Sequence, residues 1–174
     1  TIRALTRVSI FLGIEVFGIY EGFNGLIVGG DLIQPLYWDS VSGIIQEGGT
    51  ILGTARCNEF RSKEGRRRAV QNLLINNIQY LCIIGGDGSL TGASILHEEY
   101  DEHCCSLNEV KTISDDAPVL PSDPFLNIIG IVGSIDNDMC GVDMTIGTDS
   151  ALHRIIDAAD SIKTTAGSHQ RVFI

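Results

Sequence analysis

The amino-acid sequence predicts an α/β fold with a doubly wound, mostly parallel sheet, helices on both of its faces, and an incomplete chain at both ends. Apolar runs typical of strands alternate with segments of helical periodicity. Two of these strands run into acidic, glycine-rich loops, which begin at Gly85 and Gly133. In such sheets ligands bind beyond the carboxyl ends of the strands, so we expect both loops on one functional edge.

The composition indicates a globular chain and limits its partners. Of the 174 residues, 44% are hydrophobic and 20% are charged, and no apolar stretch reaches the length of a membrane span. The net charge of −10 argues against a general nucleic-acid surface. The cysteine count is odd and lacks CxxC spacing, which predicts free thiols in a reducing compartment and no structural zinc. The five cysteines are Cys57, Cys82, Cys104, Cys105 and Cys140.

The first part of the chain is predicted to alternate helices with short strands. Leu5, Val8 and Leu12 are spaced as on an amphipathic helix, and Gly13 follows as its C-cap. The glycine-rich run after Tyr20 predicts a loop. The expected elements are a helix at Ile2–Leu12, a strand at Glu15–Tyr20, a loop at Glu21–Asp31, a helix from Asp39 or Ser40 to about Gln46, and a strand or extended segment at Thr50–Thr54.

Arginines cluster after this extended segment, at Arg56, Arg61, Arg66, Arg67 and Arg68. A few clustered cations can hold a phosphorylated metabolite in spite of the negative net charge. The pattern from Ser62 to Asn77 predicts a helix with Ala69 and Leu73 on one face. For Arg66 to Arg68, in its first turns, we expect an ordinary solvated face.

The stretch Tyr80–Ser94 is the centre of the prediction. An apolar strand, Leu81–Ile84, meets a turn of sequence GGDGS, and a helix follows at once. Gly85, Gly86 and Gly88 allow positive φ and close approach of a ligand, and the first N–H groups of the helix suit a phosphate. Asp87 is an oxygen ligand of the kind that Mg²⁺ prefers. A tight turn capped by Asp87 is the alternative.

The remaining segments supply a second acidic loop. Tyr100–Pro124 is polar and acidic and predicts a surface insertion. Leu126–Val132 predicts a buried strand, which leads directly into the loop Gly133–Ser150. A helix begins at Thr148, Asp149 or Ser150, and a strand is expected to start at Arg171. Two acidic strand ends preceded by an arginine-bearing loop favour phosphoryl transfer, with one carboxylate for the metal and one for the acceptor proton.

Four ordered motifs closely resemble the ATP-dependent 6-phosphofructokinases. They are GGTILGTARCNEFR at Gly48–Arg61, IGGDGSLTGA at Ile84–Ala93, GSIDNDMCGVDMTIGTDSAL at Gly133–Leu152 and SHQR at Ser168–Arg171. The acidic insertion and the wording VGSIDND resemble the N-terminal, catalytic half of the eukaryotic form. The resemblance implies a phosphofructokinase-like, Rossmann-like fold and transfer of the γ-phosphoryl group of ATP to the 1-hydroxyl of fructose 6-phosphate.

The resemblance also implies a role for each matching residue. Asp136 becomes the base for the sugar hydroxyl and Asp138 a second carboxylate that orients the site. Arg56 reaches the transferring phosphoryl group, and Asp87 binds Mg²⁺. Ser134, Ile135 and Arg171 bind the sugar phosphate, with Arg171 supplied by a neighbouring subunit, and Cys57, Gly86, Gly88 and Ser89 lie at the nucleotide.

The same resemblance implies the surroundings of the site. Residues 1–147 would belong to the ATP-binding lobe, with the insertion at about 100–125, and residues 148–174 would begin the sugar-phosphate lobe. A cytoplasmic homo-oligomer, a tetramer of the full-length chain, is implied, with no nucleic acid and no membrane as partner. The family's opening nucleotide loop and its MGR loop are absent, so we expect this segment to be inactive alone.

Two alternatives stay open from the sequence. Pyrophosphate-dependent relatives typically carry Asp at the second glycine of the phosphate loop and Lys before the TIDND-type motif. This chain has Gly88 at the first of these positions and Gly133 at the second. Both glycines leave space for the larger nucleotide, which favours ATP as the donor. A regulatory, non-catalytic half would have lost the base or the metal carboxylate, whereas Asp136 and Asp87 are both present. Asp136 and Asp138 could also simply close a turn, and Arg171 could be an ordinary strand-end arginine.

Overall fold

The computed structural model describes residues 1–111 and 124–173. These residues divide into two compact units, Thr1–Tyr80 with Ile95–Asn127 and Leu81–Ser94 with Ile128–Ile174. The regular elements are α1 (Ile2–Phe11), β1 (Val16–Ile19), α2 (Phe23–Val28), β2 (Ile33–Leu36), α3 (Lys63–Ile75), β3 (Tyr80–Gly85), α4 (Asp87–Lys111), β4 (Asn127–Val132) and α5 (Thr148–His169). No helix in the described ranges is long and apolar enough to cross a membrane.

The first unit is built on α2, α3 and the later turns of α4. Its core includes Leu26, Leu73 and Leu96, which are at most 1% exposed. The Asn72 side chain on α3 donates hydrogen bonds to the carbonyl oxygens of Leu26 and Ile27, 2.8 and 2.9 Å away, and so satisfies the end of α2. β1 and β2 form an antiparallel pair beside these helices.

The glycines after Tyr20 form a helix where a loop was expected. α2 spans Phe23–Val28, and Gly22 and Gly29 flank it with φ of 61° and 70°. A Cβ on Gly25 would lie 1.8 Å from the carbonyl oxygen of Tyr20, so only glycine permits this approach. The prediction was wrong because these glycines begin, pack and end a short helix rather than loosen a loop.

Three other expectations for short elements differ from the structure. The predicted helix from Asp39 is a single 3₁₀ turn, Asp39–Val41. Thr50–Thr54 is a turn, held by a hydrogen bond from Glu21 N to Leu52 O of 2.8 Å. Residues 171–173 have no strand, and Ile174 lies outside the described residues. Each of these segments is short, so its own sequence pattern carries few residues and predicts its shape poorly.

The second unit contains most of a two-stranded parallel sheet. Gly133 N donates to Gly85 O and Asn127 N donates to Gln79 O, at 2.8 and 2.9 Å, so the paired strands β3 and β4 advance in the same direction. Both loops that follow them therefore open on one edge, as predicted. The strands are less buried than expected, since Cys82 and Ile84 on β3 and Ile129 on β4 are exposed.

The helix α4 continues farther than the sequence suggested. Residues from Tyr100 onward, expected to begin a surface insertion, remain helical to Lys111. Tyr100, Cys104 and Leu107 are buried in the first unit, because they repeat at the helical spacing of three and four residues. Residues 112–123 of the proposed insertion lie outside the described residues.

Candidate active site

The phosphate loop is formed where β3 passes into α4. Ser89 N and Leu90 N both donate to Gly86 O, at 3.0 and 3.1 Å, so Gly86 opens the helix. Asp87 is the first residue of α4 and is exposed. Its carboxylate is available to a cation, and Mg²⁺ at phosphate sites commonly uses one or two protein carboxylates and phosphate oxygens.

The glycines of this loop matter because they have no side chain, and not because their φ is positive. None of Gly85, Gly86 and Gly88 has a positive φ, so that part of the expectation was wrong. A Cβ on Gly85 would lie 2.7 Å from the Cβ of Ser89, which excludes any side chain there. A Cβ on Gly88 would meet nothing within 4 Å, so the chain itself leaves room at this position.

The second loop, which follows β4, lies beside the first. A Cβ on Gly86 would be 3.9 Å from the Cβ of Ser134, which places the starts of the two loops next to each other. Ser134 Oγ donates to Asp138 Oδ1 over 2.9 Å. The structure therefore brings Gly86, Ser134 and Asp138 together within one unit, while their roles in a site stay predictions.

Asp136 differs from its neighbour in having no partner within the described part of the chain. Asp136 and Ile135 are both exposed. Asn137, between the two carboxylates, takes φ of 56°, and its Oδ1 accepts a hydrogen bond of 2.8 Å from Thr145 N. The backbone is thus fixed on both sides of Asp136, while the Asp136 carboxylate stays open to a ligand.

Residues that were not singled out from the sequence complete this loop. Thr145 is 4% exposed, and its hydroxyl lies 2.6 Å from that of Thr148 in the first turn of α5. Thr148 in turn donates to Ile135 O over 3.3 Å. A Cβ on Gly147 would meet Ile135 at 3.4 Å. The sequence held a sign that this loop turns tightly, because Asn137 and Gly147 are residue types that favour left-handed backbone.

Arg171 lies at the opposite end of α5 from this loop. The helix has 22 residues, so its ends are roughly 33 Å apart at the usual rise per residue. Thr148, at its start, contacts Ile135, whereas Arg171 follows its last turn and is exposed. Within one chain the structure does not bring Arg171 to Asp136.

Arg56 and Cys57 belong to the first unit. Arg56 is exposed, and no hydrogen bond or ion pair of its side chain is found among the described residues. Cys57 is half-buried and its thiol is free. A 3₁₀ turn, Glu59–Arg61, begins two residues after Cys57. The Phe60 ring in this turn stacks on Phe23 with a centroid distance of 3.8 Å.

The other arginines of the cluster are mostly committed to carboxylates. Arg67 pairs with Glu64 over 2.7 Å, which raises the pKa of Arg67 and lowers that of Glu64. Arg68 pairs with Glu59. Arg66 is only 9% exposed, so the predicted solvated face is wrong for this residue.

The comparisons with known proteins agree with these motifs. The phosphofructokinase family model matches residues 1–174. The chain belongs to the phosphofructokinase family. The muscle-type ATP-dependent 6-phosphofructokinase of Macaca fascicularis is 54% identical over 99% of this chain, and that of Homo sapiens is 53% identical over the same share. In both comparisons the chain spans 22% of the relative's length.

Solved phosphofructokinases share the fold. The phosphofructokinase of Saccharomyces cerevisiae matches with a TM-score of 0.88 and 44% identity, covering 98% of this chain and 22% of that one. The Pichia pastoris phosphofructokinase in the T-state matches with a TM-score of 0.78 over 92% of this chain and 16% of its own. The predicted α/β class, with its doubly wound parallel sheet, is confirmed by these relatives.

Proposed function

We propose that this chain is the part of an ATP-dependent 6-phosphofructokinase that transfers the γ-phosphoryl group of MgATP to the 1-hydroxyl of fructose 6-phosphate, giving fructose 1,6-bisphosphate. The observation that carries the proposal is the Asp136 loop. Its backbone is fixed by Asn137 and by the pair Ser134–Asp138, it lies beside the Gly86 loop, and the Asp136 carboxylate has no partner among the described residues. An exposed carboxylate held at a phosphate loop is suited to accept a hydroxyl proton.

The residues divide the chemistry between them. Asp136 takes the proton of the sugar hydroxyl, and Ser134 and Ile135 bind the sugar beside it. Asp138, held by Ser134, orients this site. Arg56, whose side chain has no ion pair among the described residues, neutralises the transferring phosphoryl group, with Cys57 beside it at the nucleotide.

Asp87 would hold Mg²⁺, and the residue present fits this role. Its carboxylate is exposed at the N-terminus of α4, and a Cβ on Gly88 would meet nothing within 4 Å, which gives nucleotide phosphates open space beside Gly86, Gly88 and Ser89. The described residues contain no group of three or more metal-ligating side chains. The remaining ligands would therefore come from phosphate oxygens and water, as is usual for Mg²⁺. Bound there, the ion supplies charge neutralisation of the phosphates.

The geometry of α5 supports an oligomer. Arg171 is the residue proposed for the sugar phosphate, yet it lies roughly 33 Å along α5 from the loop that holds Asp136. An Arg171 from a neighbouring subunit would complete each site. We therefore propose a homo-oligomer, a tetramer of the full-length chain, that works in the cytoplasm on fructose 6-phosphate and ATP, without nucleic acid or membrane as partner.

The domain division also remains a proposal. We infer that residues 1–147 belong to the ATP-binding lobe and that residues 148–174 begin the sugar-phosphate lobe. The start of α5 at Thr148, directly after the Asp136 loop, supports a boundary at this place.

A coupled assay on the full-length protein that carries this sequence tests the proposed reaction. Fructose 6-phosphate and Mg²⁺ are offered with either ATP or pyrophosphate, and product formation is followed. We expect turnover with ATP alone. Turnover with pyrophosphate would contradict the donor assignment, and no turnover with either donor would favour a regulatory half without catalysis.

A further inference from the structure

The buried Arg66 lies at the centre of a cluster that the proposed reaction does not use. Its Nε and Nη2 donate to the two carboxylate oxygens of Glu99 on α4, over 2.7 and 2.9 Å. His103, one helical turn after Glu99, is 2% exposed, and its Nε2 lies 3.1 Å from Glu99 Oε2. Arg66, Glu99 and His103 are called the Arg66 cluster below.

The third nitrogen of Arg66 reaches the chain that follows Arg56. Arg66 Nη1 donates to the carbonyl oxygens of Phe60 and Arg61, over 3.0 and 2.8 Å. Phe60 and Arg61 are the last two residues of the 3₁₀ turn Glu59–Arg61. The last carbonyl oxygens of a helical turn have no hydrogen-bond donor within the turn, and Arg66 supplies one here. Every nitrogen of one guanidinium is therefore engaged, and two of its bonds fix backbone rather than another side chain.

Two further contacts hold the same turn in place. The Phe60 ring stacks on Phe23 at an interplanar angle of 12°. A Cβ on Gly65 would lie 2.1 Å from the carbonyl oxygen of Glu59, so α3 packs directly against the turn. The turn begins just after Asn58, which is two residues from Arg56. The Arg56 side chain has no hydrogen bond or ion pair among the described residues, so the anchored turn, which begins three residues later, is the nearest fixed point of its backbone.

From these contacts we propose that the Arg66 cluster positions Arg56 for phosphoryl transfer, an inference that rests on the proposed function. Glu99 holds the Arg66 guanidinium in the plane in which Nη1 reaches the Phe60 and Arg61 carbonyls, and His103 holds Glu99. Arg66, Glu99 and His103 are positioning residues: they act through the backbone turn and not on the phosphoryl group. Misplacement of a reacting group by about 1 Å can cost about a hundredfold in rate, so such an anchor has kinetic consequences.

The test compares two substitutions on α4 of the full-length protein. Glu99→Gln removes the charge that orients Arg66, and we expect kcat to fall about tenfold while KM for fructose 6-phosphate stays within about twofold. Glu102→Gln is the matched control: Glu102 also joins α4 to α3, through Lys63, but the Lys63 ammonium makes no bond to the turn. It should leave kcat unchanged.

A double-mutant cycle separates positioning from general stabilisation. In an Arg56→Ala background, Glu99→Gln should cause no further fall in kcat, because its effect passes through Arg56. An equal fall in both backgrounds, or the same fall with Glu102→Gln, would overturn the proposal. Full activity of Arg56→Ala alone would instead contradict the role of Arg56 in the proposed function, so the two failures are distinguishable.

A milder pair of variants covers the case in which Glu99→Gln does not fold. His103→Leu keeps the buried volume close to that of the imidazole but removes the hydrogen bond to Glu99, and we expect kcat to fall about threefold. His103→Gln restores a donor and should restore the rate. Parent-like kcat for His103→Leu, with an unchanged thermal unfolding midpoint, would show that His103 has no positioning role and would overturn the proposal for this residue.

Discussion

Asp136 is a residue whose surroundings are fixed while its own carboxylate is open. We expect Asp136→Asn in the full-length protein to lower kcat at least about a thousandfold, since the amide cannot accept the hydroxyl proton. Nucleotide affinity should stay within about twofold, because the Gly86 loop is untouched. The measurement is a coupled assay together with nucleotide titration. Asp101→Asn, an exposed carboxylate on α4, serves as the control, and a parent-like rate for Asp136→Asn would contradict the assignment.

Gly88 selects ATP as the phosphoryl donor if the nucleotide occupies the open space beside this residue. Because a Cβ there meets nothing within 4 Å, Gly88→Asp fits the chain without a clash. Any loss would then come from the ligand rather than from the fold. We expect kcat/KM for ATP to fall at least about tenfold while the thermal unfolding midpoint stays within a few degrees. Unchanged use of ATP would show that this position does not select the donor.

At the scale of single residues, the sequence predicted where the two acidic loops lie, whereas the roles of their residues stay predictions. Asp87 and Asp136 follow β3 and β4, and parallel pairing brings their loops together. It could not predict that Arg66 is buried, because the partner Glu99 is 33 residues away in the chain. A run of three arginines looks alike in sequence, and only packing separates the buried Arg66 from the half-buried Arg67 and Arg68.

The ion pair between α3 and α4 makes the first unit sensitive to acid. The Arg66 guanidinium, as the larger cause, and the His103 hydrogen bond hold the pKa of Glu99 below its usual 4.5. A carboxyl with a lowered folded pKa stabilises the native state above its unfolded value and loses this stabilisation as the pH falls through the folded value. We expect Glu99→Gln to destabilise at pH 7 by about 2 kcal/mol.

The same difference should begin to shrink as the pH falls below about 4.5, where the unfolded chain takes up a proton at Glu99, and should be lost as the pH falls through the lower pKa of the folded protein. Denaturant unfolding of the full-length protein at pH 7 and at acid pH measures both values, and Glu102→Gln is again the control. A difference that stays constant across this range would contradict the ionised pair as the source of the stability.

Glycines within helices also separate into two kinds. Gly25→Ala would drive a methyl group to 1.8 Å from Tyr20 O, and we expect a loss of about 3 kcal/mol. Gly167→Ala, within α5, meets nothing within 4 Å and should stabilise by up to about 1 kcal/mol. Thermal unfolding of the two variants tests this contrast, and equal midpoints would contradict the close packing of α2.

At the scale of elements, the long periodic helices and the strands β1, β3 and β4 were predicted, whereas α2 and β2 were not. The helices α1, α3 and α5 lie where apolar spacing placed them, because many residues contribute to each pattern. α2 was missed because two of its glycine positions are fixed by close approach to Tyr20 O, at Gly25, and to the Asn72 side chain, at Gly29. β2 was not expected, because only its pairing with β1 makes Ile33–Leu36 extended.

The whole molecule shows how much of a family fold a short segment retains. The chain spans 22% of its curated relatives, yet the solved yeast structure overlays it with a TM-score of 0.88. The two acidic loops and their strands are local in one unit, so they could be deduced from adjacent motifs. The relation of Arg171 to Asp136 could not be deduced from spacing, because the 22 residues of α5 separate them within one chain.

The exposed apolar side chains of α5 affect how this segment behaves when it is prepared by itself. No residue of the helix is buried, and Leu152, Ile155, Ile156 and Ile162 are all at least 42% exposed. A helix with exposed apolar side chains binds to other hydrophobic surfaces. We expect the isolated segment to be retained on a phenyl column and to brighten an environment-sensitive dye such as ANS. Replacing Ile155 and Ile156 with Gln should weaken both effects, while unaltered retention would place the adhesive surface elsewhere on the segment.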